Sequence, residues 1–214
     1  MREILKAHSQ PMVSSSGIDY LMEHQVNALT KSFQDWYDVS VTNAKRRSRG
    51  KYWLTFLTLR YTGARLREVQ LIDDASDIDR RNCEFKIKTL KQKSPKKPVR
   101  SIPIPSSVTV EITNYLMDFP DQKGKLFKVD QGNFRRVFYE RAKDAGIPRN
   151  IAHPHILRHT RATELLKGGV PITVVQDILG HSALTTTAVY LRISGQEAKM
   201  ILKDKGFILK YGNP

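Results

Sequence analysis

The sequence predicts a mainly α-helical domain carrying one small antiparallel β-sheet, an α+β fold. Three observations lead there. Apolar residues recur at helical spacing over most of the chain, beginning with Leu21, Met22, Val26, Leu29, Phe33, Trp36 and Tyr37. A single stretch instead alternates with period two: Cys83, Phe85 and Ile87 against Glu84, Lys86 and Lys88. Hydrophobic residues make up 40% of the 214, enough for one packed core.

Taken in order, residues 1–19 read as a flexible extension with a Ser-rich turn at Ser14–Gly17, and residues 20–214 as one domain. Leu21–Tyr37 is an amphipathic helix, and KRRSRGK (45–51) a basic turn. YWLTFLTLRYTG is dense in apolar side chains and stops at Gly63, which marks a buried helix; ARLREVQLI follows as another helical segment. The strand around Phe85 has its partner in VRSIPIP (99–105), and KQKSPKKP between them is a basic hairpin loop. Helices are then expected over Ser106–Asp118, Gln131–Ala145, His153–Lys167, Ile172–Leu179, Leu184–Leu191 and Gln196–Lys205. Gly168–Gly169 before Pro171, and Gly180, supply stop and start signals.

Charge narrows the function classes. Lys and Arg number 36 against 21 Asp and Glu, a formal net charge of +15. Such an excess repels itself unless it meets a polyanion, so nucleic acid is the first expected partner and an anionic membrane surface the second. The basic stretches Lys45, Arg46, Arg47 and Lys93, Lys96, Lys97 are the candidate DNA contacts; seven basic residues and no acid lie between Lys86 and Arg100. No run of about 18 apolar residues is present to span a bilayer, and no apolar leader begins the chain. Cys83 stands alone, which fits a reducing cytoplasm and a DNA-associated protein.

Candidate chemistry begins with HPHILRHT. Positions i, i+3 and i+4 share a helix face, so His155, Arg158 and His159 come together there. That set lacks an acid and puts a fixed cation where a metal would sit, so it suits a phosphate oxygen better than zinc. The plainer reading is a pair of core or capping histidines beside a surface arginine. His181 at a helix boundary, Tyr190 among apolar neighbours and Arg65 at a helix start each have an ordinary structural reading too. Glu68, three residues after Arg65, can orient it or pair on the surface. Asp73, Asp74, Asp77 and Asp79 fall between a helix and a strand, where aspartates make turns and caps rather than a metal site. Neither a metal nor another cofactor is expected.

Read in order, the motifs are more specific than any one residue. TGARLREV, a basic hairpin, HPHILRHTRAT and LGHSALTTTAVY together resemble the tyrosine recombinases, the phage-integrase family, over about residues 20–205. The resemblance implies catalytic roles for Arg65, His155, Arg158, His181 and Tyr190, with the family lysine on the hairpin at Lys91 or, alternatively, Lys93. Typical members carry a helical DNA-clamping domain before the catalytic one, for which this chain leaves no room. The resemblance implies site-specific recombination through a 3′-phosphotyrosine at Tyr190, giving integration, excision, inversion or resolution. It also implies a tetramer on DNA and no need of ATP or metal. The tail GFILKYGNP either docks on a neighbouring protomer or folds back. Two other readings stay open from sequence: a non-catalytic helix-turn-helix regulator built on GGVPITVVQDILGHSALTTTAVY, and a type IB topoisomerase-like relaxing enzyme.

Overall fold

A computed structural model describes residues 19–90 and 98–180. The flexible extension expected at the N-terminus, the hairpin tip and the two helices expected after Gly180 lie outside the described residues. Seven helices and three strands follow in order: α1 (Glu23–Asp38), α2 (Asn43–Thr62), α3 (Leu66–Val69), β1 (Ile78–Asp79), β2 (Glu84–Lys88), β3 (Val99–Pro103), α4 (Ser106–Asp118), α5 (Gln131–Asp144), α6 (Ile156–Lys167) and α7 (Ile172–Leu179). A short 3-10 turn, Pro120–Gln122, follows α4.

α2 is the centre of the molecule. Its residues Trp53–Leu59 are all buried, whereas α1 buries one stripe, Val26, Leu29, Phe33 and Tyr37, at helical spacing. The two helices meet through Phe33 and Phe56, stacked 4.2 Å apart between ring centroids, with Phe138 of α5 6.0 Å from Phe33. α6 locks onto α2 through a two-pronged ion pair, Arg60 to Glu164, with both contacts at 2.7 Å.

The expected basic turn at 45–51 is instead the first third of α2. Thr42 caps the helix by accepting from the Lys45 amide, so it begins at Asn43. Gly50, inside that expected turn, serves packing. A Cβ there would stand 2.2 Å from the Tyr115 ring, whose hydroxyl donates to the Arg47 carbonyl at 2.6 Å.

The sheet is antiparallel in the order β1-β2-β3, one short strand more than expected. Phe85 and Ile87 face the core with Ile102 and Ile104. Cys83 lies just before β2 in the left-handed region (φ 53), so it is a turn residue and not part of the strand. α4 and α7 have the expected limits, and α6 starts three residues later than expected, after a turn through His153–His155. The helical segment after Gly63 shortens to the four residues of α3.

Buried apolar residues form two clusters. The large one spans α1 to the start of α6; the small one joins Ala162 of α6 to Val175 and Leu179 of α7.

Candidate active site

Gly63 is where the site begins. It ends α2 in the left-handed conformation (φ 62), and a Cβ there would stand 2.6 Å from Leu179 Cδ2. The turn delivers Arg65 to the start of α3. The Gly63 carbonyl, exposed by the turn, accepts from Arg158 Nη1 at 2.8 Å. Two arginines 93 positions apart thus converge on one turn. Arg158 is 2% exposed, so burial holds it in a single place.

Glu68 organises the Arg65 side. Its carboxylate is fully enclosed and accepts from the Arg65 amide (3.0 Å) and Arg65 Nη1 (2.9 Å). Arg100 Nη2 donates at 2.6 Å to Oε2, the oxygen that also accepts from the Arg65 amide. Burial alone would raise the carboxyl's pKa. The Arg100 charge and the hydrogen bonds from Arg65 and Arg100 outweigh burial and hold it below the ordinary carboxylate range. Glu68 therefore stays anionic and keeps both guanidiniums aligned.

His155 precedes α6, and its ring lies 4.8 Å from that of His159, edge to face. Desolvation and the charges of His159, Arg158, His153 and Arg65 lower the His155 pKa. The residue is exposed, so its ring meets solvent at the cleft. His159 is partly buried, and desolvation, with the charges of His153 and Arg158, pushes it down to about 4. Both rings are neutral at pH 7 and able to accept a proton or a hydrogen bond.

Arg65, His155 and His153 open onto a cleft of about 520 Å³, walled also by Arg67, Leu90 and Arg135. Arg67 and Arg135 are exposed, so this cleft offers cations at its rim as well as its floor.

The structure brings Arg65, Arg158 and His155 together. Lys91, Lys93, Lys96, Lys97, His181 and Tyr190 lie outside the described residues. The chain leads to them from described positions: Leu90 lines the cleft, and Gly180 packs against Arg100. Lys45, Arg46 and Arg47 sit at the far end of α2, roughly 25 Å from Gly63 at the helical rise of ~1.5 Å per residue. Arg47 pairs there with Asp121, and Arg46 approaches Asp118 at 4.0 Å.

The aspartates between α3 and β2 hold local backbone. Asp74 accepts from the Gly124 and Leu126 amides, Asp73 from Ala75, Asp77 from Asp73, and Asp79 from Arg81 and Asn82. Sequence reasoning passed over Arg100 by counting it with the hairpin charges. The signal was there: Arg100, Ile102 and Ile104 alternate, which puts Arg100 on the inward face opposite Ile87.

Comparison with known proteins identifies the family and the fold. Residues 19–197 match the model of the phage integrase family. A "Tyrosine recombinase" of Pseudothermotoga lettingae is 41% identical over 103 residues, 46% of this chain and 36% of that protein. "Tyrosine recombinase XerA" of Pyrococcus furiosus is 36% identical over 109 residues, 47% of this chain and 37% of its own length. The matched stretches thus span little more than a third of either relative. Among solved structures, a XerA recombinase superposes with a TM-score of 0.67 at 23% identity, covering 91% of this chain and 65% of that one. The catalytic domain of bacteriophage HP1 integrase does so at 0.57 and 23% identity, covering 85% of this chain and 93% of that domain. The chain belongs to the phage integrase family, and its fold is that of a tyrosine recombinase catalytic domain.

Proposed function

We propose that this chain cuts and rejoins double-stranded DNA at specific sites through a 3′-phosphotyrosine formed by Tyr190. The observation that carries this reading is the convergence of Arg65 and Arg158 at the Gly63 turn, with neutral His155 sharing the cleft with Arg65.

A phosphodiester repels nucleophiles by its charge. Arg65 and Arg158 hold its two non-bridging oxygens and neutralise the charge that grows in the transition state. The Tyr190 oxygen attacks phosphorus, its proton passing to a neutral imidazole, His155 or His181. The bond to the 5′ oxygen breaks, and Lys91 protonates that oxygen as it leaves. The phosphotyrosine conserves the bond energy, so a 5′-hydroxyl from another strand reseals the break without ATP. The arginine pair supplies the charge neutralisation for which other phosphoryl-transfer enzymes use a metal.

Exchange between two duplexes requires several protomers, and a tetramer on DNA fits that need. A XerH recombinase of the same fold has been solved bound to its difH substrate in a post-cleavage complex, which supports DNA as the partner here. Arg67 and Arg135 at the cleft rim, together with Lys93, Lys96 and Lys97, are the phosphate contacts this reading favours. The protein then works wherever its DNA lies, and among the described residues no helix is long and apolar enough to cross a membrane. A helix-turn-helix regulator would have no use for a buried Arg158 bonded beside Arg65.

The test uses nicked suicide duplexes tiled across the ends of the element that carries the gene. Wild-type protein leaves a covalent adduct on a denaturing gel. Tyr190→Phe leaves none while binding the same duplex within a few fold. Adducts that persist in Tyr190→Phe would remove Tyr190 from the role.

A further inference from the structure

Arg100 joins three parts of the molecule at one guanidinium. Nε donates to the Ile178 carbonyl at the end of α7 (2.9 Å), Nη1 to Thr89 Oγ1 at the hairpin base (2.7 Å) and Nη2 to Glu68 beside Arg65 (2.6 Å). Its side chain is only 9% exposed. Gly180 leaves the space it occupies: a Cβ there would stand 2.8 Å from Nη1 and 3.1 Å from Thr89 Oγ1. Thr89 is 3% exposed, and its amide donates to the Pro98 carbonyl across the hairpin. Leu90, next in the chain, lines the cleft.

We infer that Arg100 is a positioning residue: it fixes the base of the hairpin against the Glu68–Arg65 pair and so sets where Lys91 stands relative to the phosphate. This rests on the proposed phosphotyrosine reaction with Lys91 as proton donor. Arg65 does not depend on Arg100 to the same degree, because Glu68 holds it through two bonds of its own. The hairpin base has no other side-chain link to Glu68 among the described residues beyond a long contact from the Leu90 amide, 3.5 Å. A fork with three partners is needed here, and lysine, a single point donor, cannot bridge them.

The experiment compares adduct formation by the full chain on two duplexes of the cleaved sequence. One has the normal scissile phosphodiester. The other has sulfur in place of the 5′-bridging oxygen, a leaving group that departs as a thiolate and needs no proton. Arg100→Lys should slow cleavage of the normal duplex by about tenfold to a hundredfold, the effect of a displacement near 1 Å. On the sulfur duplex it should recover to within about threefold of wild type. Thr89→Val, a milder change that spares the Arg100–Glu68 contact, should lose about threefold to tenfold and recover likewise; it carries the test should Arg100→Lys fail the thermal-unfolding check. Lys91→Ala is the reference. If sulfur rescues Lys91→Ala but neither Arg100→Lys nor Thr89→Val, or if both variants cleave normal DNA at the wild-type rate, Arg100 has no such role. If wild type forms no adduct, or sulfur fails to rescue Lys91→Ala, the phosphotyrosine reading or its proton donor is what fails, and the positioning role falls with it.

Discussion

Replacing Glu68 with glutamine tests the buried ion cluster at its centre. The change keeps the side chain's shape and removes its charge. Glu68 is 1% exposed and receives bonds from the Arg65 amide, Arg65 Nη1 and Arg100 Nη2. Glutamine has one acceptor oxygen, so whichever way its amide is turned, one arginine meets an NH₂ group. Arg65, with 20% of its side chain exposed, can relax toward water; Arg100, at 9%, cannot. A hydrogen bond to a charged group contributes ~1.5–3 kcal/mol, and breaking a buried pair costs ~3–5 kcal/mol. With one acceptor kept, the loss should be about 3 kcal/mol, or a Tm lower by about 6–12 °C for a domain of this size. Thermal unfolding at pH 7 reads this directly. The pH dependence gives a second reading. A carboxyl held below its ordinary range stabilises the fold above the unfolded pKa, and that stability is lost as pH falls through the folded value. The gap between wild type and Glu68→Gln should therefore narrow in acid. A Tm within about 2 °C of wild type at pH 7 would show that the cluster is not electrostatically tight, and the argument would fail.

Other outcomes follow from the same geometry. Gly63→Ala should destabilise by about 2 kcal/mol, from the left-handed backbone and the 2.6 Å approach to Leu179, and should weaken adduct formation by moving the Arg158 acceptor; an unchanged Tm would contradict this. The His159 ring titrates near 4 folded against about 6.5 unfolded, so between those values the unfolded chain binds the proton and stability falls as pH drops. From pH 7 to 5 its share of the loss should be about 2 kcal/mol by chemical denaturation, and His159→Gln should make that limb shallower by that share; an equally steep limb in the variant would assign it elsewhere. Covalent attachment to DNA should proceed in excess EDTA without ATP, and loss of adducts restored by Mg²⁺ would point to a metal-dependent nuclease instead.

Helices were legible where one apolar stripe and a clear stop coincided, as in Ser106–Asp118 and Ile172–Leu179. Legibility failed at Gly50, because a glycine that admits the Tyr115 ring looks locally like a glycine that breaks a helix. It failed again at β1, whose two residues have no periodicity of their own and exist only because β2 offers an open edge. In the site, Arg65 and Arg158 were legible through their motifs, but the Gly63 carbonyl that brings them together was not, since a backbone acceptor leaves no trace in residue type. Arg100 was hidden by its company: among so many surface cations, only the strand alternation marked it as inward-facing.

The small cluster of Ala162, Val175 and Leu179 is separate from the large core, and that separation has a mechanical consequence. α7 rests on few apolar side chains: beyond its own small cluster, the Ile178 side chain packs on the large core, Leu179 lies near Gly63 and the Ile178 carbonyl accepts from Arg100. Such a subdomain opens at a lower free energy than the whole molecule melts. Its amides should exchange with deuterated solvent ahead of those in α2, which is buried along its centre.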